Sequence, residues 1–204
     1  MASLSFDLSQ YDDLSDEQRQ QLRRHYLSYV KAENAGAADL HKELNQIYGT
    51  VDELMQTEKV ERLISLLHTS AHVVLFATEA SQISLIEFQL GMRVEGRKVR
   101  LVTEDSSDVN GIGALSPNDL LIVVTTSNGF ARRQRTNIIR SQAHKVIVTA
   151  SDDPELHSHF DEVLSMGTGA EEGTALHRIY ATYGVSYLFD RLFSKYACTY
   201  DPEV

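Results

Sequence analysis

Between residues 70 and 166 the chain alternates short apolar runs with longer segments of mixed composition. The runs are Val73 to Ala77, Val99 to Val102, Leu120 to Thr125, Val146 to Thr149 and Glu162 to Met166. The first, third and fourth are apolar at nearly every position instead of every second one, the pattern of strands covered by helices on both faces. Gln82 to Val94, Ala131 to Ala143 and Glu155 to Phe160 lie between runs and suit the crossover helices of right-handed βαβ units. The alternation therefore predicts an α/β three-layer sandwich around a five-stranded parallel sheet.

The first 70 residues carry a different period. Leu40, Leu44, Ile47, Val51 and Leu54 recur at steps of four and three, and Val60, Leu63, Ile64 and Leu67 continue the stripe. Gly49 is expected to interrupt it, because Thr50 with Glu53 matches a capping box that starts a fresh helix. Ser15 with Gln18 matches the same box for an earlier helix ending near Asn34 to Gly36, and Ala175 to Lys195 reads as a closing helix. The predicted organisation is a helical arm over 1–54 and an α/β domain over 55–204. The stripe is expected to pack mainly on its own chain, with the 40–67 segment also contributing to a homodimer or homotetramer.

At 204 residues the chain has room for one sizeable core, and 42% apolar with 24% charged residues excludes wholesale disorder and fibrous repeats. The balance of 29 acidic against 19 basic residues gives a formal charge of -10, which repels phosphate backbones and anionic lipid. The single cysteine, Cys198, forms no internal disulfide. The start, MASLSFDLSQYDD, is acidic where an export signal is basic, and no apolar run approaches the ~18 residues of a membrane span, so a cytoplasmic location is expected.

In a sheet of strand order 2-1-3-4-5, as in flavodoxin-like folds, ligands bind where the carboxyl ends of the first and third strands meet. The turns leaving those strands are Thr78-Glu79-Ala80-Ser81 and Thr125-Thr126-Ser127-Asn128-Gly129, and both are rich in small hydroxyl residues. Each leads into a predicted helix, whose free amides and positive dipole end suit an anion, phosphate foremost. Arg132 and Arg133 add positive charge, although only one of two consecutive helical residues can face the site. The alternative is that Ser81 and Ser127 simply cap the helices that follow. No glycine fingerprint for a dinucleotide and no GxxxxGK[ST] is present, and His157-Ser158-His159 lacks partner motifs for a metal, so no cofactor is expected.

Residues from about 55 to 195 resemble a SIS (sugar isomerase) domain, and particularly the effector domain of RpiR/MurR-type bacterial regulators. V-V-L-F-A-T-E-A-S (Val73 to Ser81) resembles that family's strand followed by G-x-G-x-S, and N-D-L-L-I-V-V-T-T-S-N-G (Asn118 to Gly129) resembles D-x-x-I-x-x-S-x-S-G-x-T. Gly96, K-V-I-V-T (Lys145 to Thr149) and Y-L-F-D-R-L-F (Tyr187 to Phe193) agree with the family's spacing, second-half strand and closing helix. The resemblance implies a homo-oligomer and a phosphosugar held by Ser81, Thr125, Thr126 and Ser127, with Asn128 and Gly129 completing the second loop. The chain departs from the family pattern at Ala77 and Glu79, which replace two glycines, at Asn128, which replaces another, and at Phe130, which stands where threonine is usual.

The function expected from this resemblance is a phosphosugar-binding sensor or regulator of carbohydrate metabolism; the alternative is an aldose-ketose phosphosugar isomerase. An isomerase needs a positioned base, for which Glu171, Glu172 and His177 are the candidates. DNA is not an expected partner, because residues 1–65 hold 7 Lys or Arg against 12 Asp or Glu, the wrong sign for a phosphate backbone.

Overall fold

In the computed structural model, which describes residues 14–34, 40–151, 153–167 and 175–204, the apolar runs form five parallel strands. These are β1 (Val73–Ala77), β2 (Val99–Thr103), β3 (Leu120–Thr125), β4 (His144–Thr149) and β5 (Glu162–Ser165), ordered β2-β1-β3-β4-β5. The central pair sits in register with Val73 beside Leu120 and Ala77 beside Val124. Strand alternation divides the core in two. Val73, Leu75, Leu120, Ile122, Val124, Val146 and Val148 face one layer, while Val74, Phe76, Leu121, Val123 and Ile147 face the other.

The first layer comprises α3 (Glu58–Thr69), α4 (Glu79–Val94) and α8 (Ala175–Tyr200), with α2 (Leu40–Leu54) lying across α8. Val60, Leu63, Ile64 and Leu67 are buried on α3 and Ile47 and Val51 on α2, so the amino-terminal apolar stripe is covered by its own chain. Burying each such side chain is worth roughly 1.5–3 kcal/mol. Two glycines permit the close approaches: a Cβ on Gly91 would stand 2.8 Å from the Phe193 ring, and one on Gly184 would stand 2.8 Å from Ile47 Cγ2. Tyr187 Oη donates to Asp52 Oδ1 at 3.0 Å and further ties α2 to α8. Helix α1 (Asp16–Asn34) opens with the expected box, Ser15 N donating to Gln18 Oε1 at 2.8 Å and Gln18 N to Ser15 Oγ at 3.3 Å.

The second layer is assembled from shorter pieces: a 3-10 helix (Ser107–Ala114), α5 (Gly129–Arg133), α6 (Arg135–Arg140) and the single turn α7 (Pro154–His157). Two sequence expectations are corrected here. Gly49 does not break the arm, for α2 runs through it and Thr50 Oγ1 donates back to the Gln46 carbonyl at 3.0 Å; the break falls at Met55 to Thr57. The segment from Ala131 to Ala143 is not one helix, since the chain turns at Gln134 between α5 and α6. The 3-10 helix, which contributes Ile112 to the core, was not anticipated. No helix among the described residues is long and apolar enough to cross a membrane.

Candidate functional site

The pairing of Ala77 with Val124 brings the ends of β1 and β3 side by side, so the turns that leave them start from neighbouring points on the carboxyl edge of the sheet. The β1 turn is built locally. Thr78, in extended conformation, caps α4, its Oγ1 accepting from the Ser81 amide at 3.4 Å and lying 3.1 Å from Ser81 Oγ. Ser81 is therefore an internal residue of α4 and buried, and the capping role that stood as its alternative belongs to Thr78. Only the backbone of Glu79 and Ala80 is described, as the first turn of α4.

The β3 turn is built by distant residues. Asn128 has φ +58 and ψ -11, the left-handed region, and is the one non-glycine residue there among the described residues. Glycine takes this conformation freely, and Asn tolerates it better than most side chains, which gives a physical reason for Asn at the position where the family motif has glycine. Its side chain is fully buried: Oδ1 accepts from Thr149 Oγ1 at 2.7 Å, and Nδ2 donates to the Ser151 carbonyl at 3.2 Å. Ser151 Oγ in turn donates to the Thr126 carbonyl at 3.4 Å. The carboxamide thus bolts the turn to the end of β4, and Asn128 as a whole is closed off from solvent. Asn128, not Ser127, occupies the cap position of α5.

That arrangement leaves hydroxyls free. Neither Thr125 nor Ser127 hydrogen-bonds through its side chain to another described residue. Gly129 keeps the space beside Ser127 open, for a Cβ there would lie 3.6 Å from Ser127 Oγ and 3.7 Å from Arg133 Nη1. Hence the guanidinium and the serine hydroxyl border the same small volume. Arg133 is oriented by Glu104, just beyond β2, which accepts from Nε at 3.1 Å and from Nη2 at 2.8 Å. Arg132 turns away to Asp153, with Nε donating to Oδ2 at 2.7 Å. Of the two consecutive arginines, only Arg133 reaches the turn.

Asp153 also caps α7, accepting from the Leu156 amide at 3.1 Å. Partial burial pushes its carboxyl up, but the Leu156 amide, the Arg132 guanidinium and His157 outweigh that effect and hold it below the usual carboxylate range. His157 Nε2 lies 3.5 Å from Asn128 Nδ2, whereas His159 lines a pocket of about 260 Å³ at the opposite edge of the sheet with Lys145 and Asp161, so the two histidines share no site. Glu171 and Glu172 lie outside the described residues, and His177 is described only as backbone of α8. Phe130 fills the second core layer edge-on to Phe76, with centroids 4.7 Å apart, and supports the turn from beneath. Sequence reasoning missed Glu104, Thr149 and Ser151, which act on the turn from more than 20 residues away.

No family model matches the chain, and no curated protein matches it in sequence. Solved structures do. The sugar isomerase domain of an RpiR transcription factor from Sphaerobacter thermophilus superimposes with a TM-score of 0.60 at 16% identity, over 79% of this chain and 90% of that one. Vibrio vulnificus NanR, in complex with ManNAc-6P, gives a TM-score of 0.65 at 16% identity over 86% and 68%. A Methanococcus jannaschii protein, whose structure infers a molecular function of 3-hexulose-6-phosphate isomerase, gives 0.58 at 12% identity over 78% and 89%. The strand order, the helical layers and these superpositions agree: the chain has the fold of the sugar isomerase domain found in RpiR-type regulators and in phosphosugar isomerases.

Proposed function

We propose that this protein binds a phosphorylated sugar and acts as a sensor or regulator of carbohydrate metabolism. The observation that carries the reading is the β3 turn, where the unpaired hydroxyl of Ser127 stands with Arg133 beside the space left open by Gly129. Hydroxyl donors beside a guanidinium complement a phosphate, and such charge-assisted bonds are about twice as strong as neutral ones. Ser81, Thr125, Thr126, Asn128 and Gly129 complete the proposed contact set. That NanR, of the same fold, was solved with ManNAc-6P supports a phosphosugar over a bare anion.

The reading places 1–54 as an arm on a 55–204 ligand domain, in a cytoplasmic, self-associating protein that does not itself contact DNA. A thermal-shift screen against hexose, pentose and N-acetylhexosamine phosphates tests it, because ligand bound to the native state raises its stability by mass action. The expected outcome is a concentration-dependent rise with at least one sugar phosphate that is lost in Ser127→Ala. Flat responses across the panel, or a rise that Ser127→Ala and Arg133→Ala leave intact, would sink the assignment.

A further inference from the structure

Helix α4 buries Leu85, Phe88 and Met92 against the sheet and α8, yet its outer face is also apolar. Ile83 is 78% exposed, Ile86 39%, Leu90 51% and Val94 84%. Steps of three, four and four put these residues in one stripe, which on a helix rising ~1.5 Å per residue runs about 16 Å. Tyr183 is exposed on α8 one turn before Ser186, the residue that hydrogen-bonds Ser84 at 2.8 Å, and so stands level with the first turn of α4. Apolar residues scattered singly on a surface need no explanation, but a contiguous stripe marks a binding face.

We propose that a second copy of this chain docks on the α4 stripe, which names the surface for the self-association included in the functional reading. The area fits this occupant. The four aliphatic side chains expose on the order of 400 Å², and a standard interface takes ~800 Å² from each partner, a little over half of it apolar. Charge fits as well. Among the described side chains, the exposed face of α4 carries Glu87 and Arg93, one of each sign, and neither forms an ion pair with another described residue. Two copies of a chain with net charge -10 repel on approach, and a face of zero net charge is where they meet at least cost. The amino-terminal stripe at Ile47, Val51, Val60 and Leu63, which the sequence also offered for this purpose, is covered within the chain.

Sedimentation velocity of the full chain at tens of micromolar is the test. Wild type is expected at twice the 22.9 kDa chain mass. Leu90→Asp, at the middle of the stripe, is expected to weaken association on the order of 100-fold, as truncating or charging a central anchor does, with an unchanged circular dichroism spectrum. Val94→Asp, at a site too exposed to disturb folding, supplies the same readout should Leu90→Asp prove unstable. Ile139→Asp, on the exposed side of α6, is expected to leave the dimer intact. A monomeric wild type overturns both this surface and the self-association. A wild-type dimer that survives Leu90→Asp and Val94→Asp overturns the surface alone.

Discussion

The two turns at the carboxyl edge of the sheet start from neighbouring strands and carry similar residues, yet they are held in opposite ways. The β1 turn is closed by residues three apart, Thr78 and Ser81, at the head of a 16-residue helix. The β3 turn leads into a helix of 5 residues and takes its shape from Thr149 and Ser151, more than 20 positions on. One turn spends its hydroxyls on itself; in the other a buried amide does the holding, and the Thr125 and Ser127 hydroxyls make no bond to another described residue. Similar composition at equivalent places therefore does not mean equivalent roles.

The comparison breaks most severely at Asn128. Asn128→Ala combines a left-handed alanine, ~1–2 kcal/mol, with the stranding of buried partners, ~1–3 kcal/mol, so urea unfolding is expected to show a loss of about 3 kcal/mol. Asn128→Gly keeps the backbone free and should recover about half of that loss. In Ser127→Ala, stability stays near wild type while calorimetry shows sugar phosphate affinity falling by roughly 1.5–3 kcal/mol, the range for bonds to charged groups. Thr78→Ala does the reverse, lowering stability by about 1 kcal/mol through the lost cap, with little direct effect on affinity. Equal effects of Ser127→Ala and Thr78→Ala on binding would erase the distinction between the turns.

The smallest effect expected is on acid sensitivity. Asp153, which braces α7 and Arg132 beside the β3 turn, is held below its ordinary value in the folded state, so its contribution is present above about pH 4 and is lost as the pH falls below that. The thermal midpoint of wild type should drop more between pH 7 and pH 3.5 than that of Asp153→Asn. An identical drop in both would remove Asp153 from the account.

The sheet was legible because β1 and β3 are buried on both faces, and an unbroken run such as Leu120 to Val124 has few other places to go. The position of the two turns followed from strand order alone. What could not be read was anything set by a distant partner. Asn128 shows up in the sequence as a departure from glycine, and only the fold brings Thr149 to its carboxamide. Gly49 looked like a stop, but with nothing within 4 Å of its Cβ position it neither makes nor breaks a contact, and the flanking α2 side chains packed on α8 carry the helix through it.

Asn128 and Gly129 also form an Asn-Gly pair, the sequence in which the following amide nitrogen attacks the side-chain carbon most easily, expelling ammonia and closing a succinimide. Here the carboxamide is buried, pulled toward Thr149 and Ser151, and followed by a glycine already committed to a helix. The bonds that shape the turn thus also protect it from chemical ageing. Loosening them, as Thr149→Val would, should set a clock running on the protein: a one-dalton gain at residue 128 that accumulates on storage and is absent from wild type of the same age.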